Sequence, residues 1–284
     1  METRIFKLGQ HLVAFLDVLG QRDRFRGLRP PTNPGEEAHV KEVLRQTAGF
    51  VTDLRGVFQT QFALFEKGAG MGTHTKEPLR PNFVGFSDSF VTSVPLRNEG
   101  GDLVPIVTVF SALSAAAIVM LTSLASKHPL RGGIDVGLAT EISPGEIYGT
   151  ALERAYLLEC KIAQYPRIVI GDELCKYLSS ASAEFRKRET PVAKAITAII
   201  QKIMGLIATD TDGNKILDYL GPIVVENSAP GHKEQMVQPA YEFLLAEQNR
   251  LTLDGTAELI ARYVSFRSYF ESRLSLWTIA ASKS

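Results

Sequence analysis

Two aspartates, Asp17 in "VAFLDVLGQ" and Asp88 in "GFSDSF", interrupt stretches otherwise apolar enough for a protein interior. An isolated ionised carboxylate is very costly to bury, so each must lie at an edge, be paired, or be bound to a cation. Both fall where a strand ends: Asp17 precedes Val18, Leu19 and Gly20, and Asp88 lies between Ser87 and Ser89. Two carboxylates converging there would hold divalent cations, and hard magnesium or manganese suits an all-oxygen donor set. Two unrelated polar residues at strand termini would give the same pattern.

The strand carrying Asp17 spans about 11–16. A polar connection, "RGLRPPTNPGEE", leads to a helix from about Ala38 to Phe65 with apolar Val40, Val43, Leu44, Val51 and Leu54. After the loop "EKGAGMGTHTKEPLRP", the stretch "NFVGFSDSFVTSV" reads as two short antiparallel strands joined at Asp88. Leu103 to Ser126 holds no charge and is long enough to span a bilayer. Pro105 and the hydroxyls of Thr108, Ser111, Ser114, Thr122, Ser123 and Ser126, set among alanines, favour a buried helix instead. Pro129 and the Gly132-Gly133 pair end it, and "GIDVGLATE" alternates as a strand. "GEIYG" then leads to the helix "TALERAYLLECKIAQ", which ends before Pro166, and to the buried strand "RIVIG".

The order β-α-β-β-α-β-α-β predicts an α+β fold, a ferredoxin-like split βαβ sheet with added strands. Beyond Asp172 the pattern is mainly helical, with a strand near "ILDYLGPIVV". The expected organisation is a domain over 1–180 and a helical extension over 181–284, packed on it or on a dimer partner.

The 284 residues carry 31 basic and 31 acidic side chains, so bulk charge draws the chain to neither nucleic acid nor an anionic membrane. Cys160 and Cys175 form no CxxC pair, which argues against a zinc site or a disulfide framework and fits a reducing cytoplasm. "METRIFKLGQHLVAF" lacks the apolar core and cleavage site of a secretion signal. A cytoplasmic protein with no membrane span in this chain is the expectation.

In order, spacing and strand context, "FLDVLG", "GFSDS", "RGGIDVG" and "GEIYGTALERAYLLE" resemble the class III nucleotidyl cyclases over roughly residues 10–175. More narrowly, "VAFLDVLG", "FSDS" and "ALERAYLLECKIAQYPRIVI" look like the pyrimidine cyclases of Pycsar antiphage systems. The resemblance implies attack of a ribose 3′-hydroxyl on the α-phosphorus with loss of pyrophosphate, assisted by two divalent cations, Mn2+ or Mg2+. Asp17, Asp88 and the Val18 carbonyl would be the metal ligands. Phe15, Leu16 and Gly20 would face the substrate, with glycine leaving room for phosphate against the backbone. A homodimer with shared sites and a separate cyclic-nucleotide effector protein are also implied.

Departures from the purine cyclases bear on substrate and mechanism. Their helix asparagine and, four residues on, their transition-state arginine correspond to Glu153 and Leu157 here, and leucine cannot offset developing phosphate charge. Arg154, Lys161, Arg167 and Arg131 are nearby substitutes. Arg167 is favoured as the catalytic arginine and Arg154 stands second; the alternative for Arg167 is a surface cap on the preceding helix. The purine-reading positions hold Val84 and Glu146, which suits a smaller ring. Glu146 could accept from uracil N3–H or the cytosine amine, and UTP is preferred to CTP. A dimer that binds nucleotide without chemistry, or a purine cyclase, remains the competing expectation.

Overall fold

Alternation in Gly9–Val18 builds the central strand. Leu12, Ala14, Leu16 and Val18 enter one core, and Val13 and Phe15 join a second on the opposite face. The computed structural model describes residues 8–68, 81–86, 88–96, 106–143 and 145–279. Ser87, most of the loop before Asn82, the Leu103–Pro105 start of the uncharged segment, and the N-terminal residues 1–7 lie outside them.

In chain order the elements begin with β1 (Gly9–Val18), α1 (Gln21–Phe25), α2 (Pro34–Leu44), α3 (Phe50–Gly68), β2 (Asn82–Phe86) and β3 (Ser89–Pro95). Next come α4 (Val107–Ala125), β4 (Leu130–Ser143), β5 (Glu146–Tyr148), α5 (Thr150–Leu157), β6 (Ile168–Ile170) and α6 (Asp172–Arg186). The last are α7 (Pro191–Gly205), β7 (Ile207–Thr209), β8 (Lys215–Leu217), α8 (Pro222–Glu226), α9 (Gln238–Asp254) and α10 (Ala257–Leu274).

The strand order is β2-β3-β1-β4-β6-β8-β7, with β5 paired to β4. Since β1 and β2 both run antiparallel to β3, they are parallel to each other across it. With β4 antiparallel to β1, this is a split βαβ arrangement. β6 adds parallel to β4, and the β7–β8 hairpin completes the edge. The sheet therefore continues past residue 180. The last third contributes β7 and β8 as well as helices; the strand expected near "ILDYLGPIVV" is β8, which takes only the first two of those residues, Ile216 and Leu217.

The helix expected from Ala38 starts earlier. Asn33 accepts from the Glu36 amide and Pro34 takes the first helical position, so the supposed loop end is a capped helix start. α2 buries nothing, whereas α3 buries Val51, Leu54, Phe58 and Phe62 at helical spacing.

α4 is the one described helix long and apolar enough to cross a membrane, and it is buried almost throughout. It packs on α3, α7 and α9. Near its C-terminal end Thr122 donates to the Ile118 carbonyl and Ser123 to that of His128, whereas the buried Thr108 and Ser111 hydroxyls have no partner among the described residues.

On the opposite face, among the described residues, α5 and the π-turn that follows it cover the strands near β1. The approach of α5 depends on small residues. Ala151 and Ala155 are fully buried, and a Cβ at Gly137 would meet the Ala151 amide at 2.8 Å.

Candidate active site

Register gives Asp17 its neighbours: it lies opposite Ser89 on β3 and Arg131 on β4. Ser89 donates its hydroxyl to Asp17 Oδ1 at 2.7 Å, and Arg131 Nη2 stands 3.6 Å from Oδ2. The Val18 amide donates to the Asp88 carbonyl at 3.2 Å, tying the tip of the β2–β3 hairpin to the end of β1. Burial pushes the Asp17 carboxyl above the usual range; the Asp88 charge adds to the rise, while Ser89 and Arg131 oppose it. The two sequence-predicted metal carboxylates are thus brought into electrostatic contact.

A third carboxylate joins them. Glu159, at the second position of a π-turn (Leu158–Ile162), is buried and ion-paired with Arg131 Nε. Burial raises its pKa, Arg131 lowers it, and Asp17 and Asp88 raise it further.

Among the described residues no group of three or more His, Cys, Asp or Glu is arranged to hold a metal ion. Asp17 offers partly desolvated carboxylate oxygens beside the Asp88 charge, and the pair is an all-oxygen donor set that fits hard divalent cations. The Val18 side chain is in the core, so only its backbone could join them.

A cleft of ≈ 690 Å³ runs between the sheet and one flank of α5. Phe15, Val84 and Val91 form its floor, and Tyr148, Thr150, Leu152, Glu153 and Tyr156 its wall. Phe15 and Tyr156 meet edge to face with ring centroids 5.4 Å apart. Its size and apolar lining suit one small ring system with few polar contacts.

The opposite flank of α5 borders a second cleft of ≈ 630 Å³, shared with β6, the start of α6 and the β7–β8 turn. Arg154, Lys161, Lys176 and Lys215 line it with the acidic Asp135, Asp172 and Glu173, and Lys176 is ion-paired with Glu173. Arg154 also donates to the Val136 carbonyl at 3.0 Å, which aims its guanidinium along this flank. Buried Asp135 accepts from the Leu174 amide at 2.8 Å and so serves the first turn of α6.

Several expectations are corrected. Leu16 does not face substrate: its side chain is in the main core, opposite the cleft. Gly20 is not among these: it makes the turn after β1 with φ +81°, a conformation that favours glycine, and the space where a Cβ would be is open. Glu146 is exposed on β5, accepts from the Ser143 hydroxyl at 2.7 Å, and does not line the cleft that holds Val84.

Arg167 is buried rather than at the surface and is not a free catalytic group; the expected cap is present, since it donates to the carbonyl of Ile162, the last residue of the preceding turn. Its side chain is 3% exposed and binds Asp210 and Asp212 at 2.6 Å each. It also lies over the Tyr165 ring.

Sequence reasoning missed the cleft aromatics Tyr148 and Tyr156, and Glu159. Tyr156 was discoverable from its place three residues after Glu153 on one helix flank. Glu159 was hidden by the change of period at the π-turn.

No protein-family model and no curated protein matches the chain. Among solved structures, two of a bacterial light-regulated adenylyl cyclase are similar at 13% and 14% identity. Each covers 61% of this chain with a TM-score of 0.38, too loose an overlap to assign a fold. The matched part spans 46% of those chains, less than half their length.

Proposed function

We propose that the chain is a class III nucleotidyl cyclase that converts UTP, and CTP less readily, to the 3′,5′-cyclic monophosphate and pyrophosphate. The observation that carries this reading is the juxtaposition of Asp17 and Asp88 at the end of β1, where the Asp88 charge adds to the cost of ionising half-buried Asp17 unless a cation lies between them. Bound there, two divalent cations would acidify the ribose 3′-hydroxyl and offset triphosphate charge.

Asp17 and Asp88 would hold them, with the Val18 carbonyl as the further oxygen. Phe15, Val84 and Tyr156 supply apolar and aromatic surface for a base, and Val84 offers a purine edge no polar partner. Glu153, on the cleft wall, replaces Glu146 as the acceptor for uracil N3–H.

Arg154, Lys161 and Lys215 lie on the other flank of α5, where they would meet the triphosphate of a second copy. The expected assembly is a two-fold homodimer with two shared sites. Exposed Tyr156 and Leu157 on α5, with Tyr148 on β5 and Leu138 on β4, support a covered face there. An antiphage role with a separate effector protein follows the sequence motifs alone.

A second reading is a cyclase-like dimer that binds nucleotide without turnover. It is favoured by Leu157 at the transition-state position and by the engagement of Arg167 elsewhere. Incubating the purified protein with each of the four nucleoside triphosphates and Mn2+, followed by mass spectrometry, separates the readings. Cyclic UMP as the main product is expected; bound but unchanged UTP supports the second reading, and comparable cyclic AMP or cyclic GMP makes the chain a purine cyclase.

A further inference from the structure

Arg131 stands between two carboxylates that face different duties. Its Nη2 is 3.6 Å from Asp17 Oδ2, and its Nε is ion-paired with Glu159 Oε1. The Asp17 and Glu159 side chains are 17% and 4% exposed, so neither is neutralised mainly by water. Gly133, next but one to Arg131, admits the π-turn to the sheet: a Cβ there would meet Leu158 Cβ at 2.6 Å and the Glu159 amide at 2.9 Å.

We propose that Arg131 is a built-in stand-in for a cation at Asp17, and that Glu159 is the positioning residue that draws its guanidinium away when a divalent cation binds. Glu159 thereby sets the cation affinity of the Asp17–Asp88 pair. This rests on reading that pair as the cation site. A guanidinium and a divalent cation repel each other and compete for one carboxylate. Removing a partner from a buried ion pair is strongly unfavourable, so displacement needs a second carboxylate already in place. Glu159 meets that need at one end of the same guanidinium.

The test is Mn2+ binding to the full chain without nucleotide, read from the electron paramagnetic resonance of free Mn2+. The proteins compared are wild type, Glu159→Gln, Arg131→Gln, the double variant and Asp17→Asn. Glu159→Gln should bind about tenfold more weakly, because the displaced guanidinium loses its second partner. Arg131→Gln should bind more tightly. In the Arg131→Gln background, adding Glu159→Gln should change little, whereas an attraction exerted directly by Glu159 on the cation would persist there at full size.

A second measurement uses unaltered protein, should Arg131→Gln fail to fold. The Arg131 Nε–H nuclear magnetic resonance signal should shift as Mg2+ is added, and a signal that stays fixed while Mg2+ binds overturns the proposal. Wild-type affinity in Glu159→Gln, with none in Asp17→Asn, overturns the handover but leaves the cation site standing. Undiminished binding by Asp17→Asn overturns the site itself.

Discussion

At the scale of single residues, the buried charges of this chain are answered by partners far away in sequence. The Arg167 hydrogen bond holds the Asp212 carboxyl down from 3.8 to about 2. A depressed carboxylate stabilises the fold above its unfolded pKa, and that contribution is lost as pH falls through the folded value. Wild-type protein should therefore lose urea resistance between pH 3.8 and about 2 that Asp212→Asn does not lose. Because the Asp212 side chain is 42% exposed, the difference should stay below about 1 kcal/mol. Equal acid sensitivity of the two proteins would contradict the assignment. The convergence of Asp17 and Asp88 was legible because each carboxylate interrupts an apolar strand end. The fate of Arg167 was not, since Asp210 and Asp212 reach it only through the β7–β8 hairpin.

At the scale of elements, the approach of α5 to β4 decides where the site residues stand. A Cβ at Gly133 would collide with the Ala155 carbonyl oxygen and with the Glu159 amide, and backbone neighbours cannot swing aside as side chains do. Gly133→Ala should cost about 1–3 kcal/mol of stability by overpacking and should move α5 off the sheet. Chemical denaturation checks the first effect, and an unchanged midpoint would show that the contact is not limiting. Because α5 carries Glu153 and Arg154, cyclisation should fall together with stability. The strand and helix order around this contact was readable from the sequence, as hydrophobic alternation gave way to helical spacing at Thr150. The start of α2 was misread because a Pro-rich stretch looks like a loop until its asparagine is seen to cap. Glu146 was misplaced because a bulge between Glu141 and Ser143 shifts the pairing of the β4–β5 hairpin, an irregularity that residue spacing does not announce.

At the scale of the whole molecule, the sheet exposes two clefts on opposite flanks of α5, one apolar and reaching Phe15 two residues before Asp17, the other lined by charges of both signs with cations in excess. The proposed function would have these meet different neighbours, as a shared site in a homodimer requires. Mixing Asp17→Asn chains with chains carrying Glu153→Ala and Arg154→Ala should restore one working site per mixed dimer, and no recovered turnover would argue against sharing. Arg167 is left intact in that experiment because its loss would strand buried Asp210 and unfold the test. The most direct measurement is cyclic-nucleotide formation from UTP in Mn2+ by wild type, Asp17→Asn and Asp88→Asn. Melting curves of the same three proteins in metal-free buffer serve as the folding control. Both variants should melt no lower than wild type, since each removes one of two mutually repelling charges, and neither should form cyclic UMP. Full turnover by either folded variant would contradict the account.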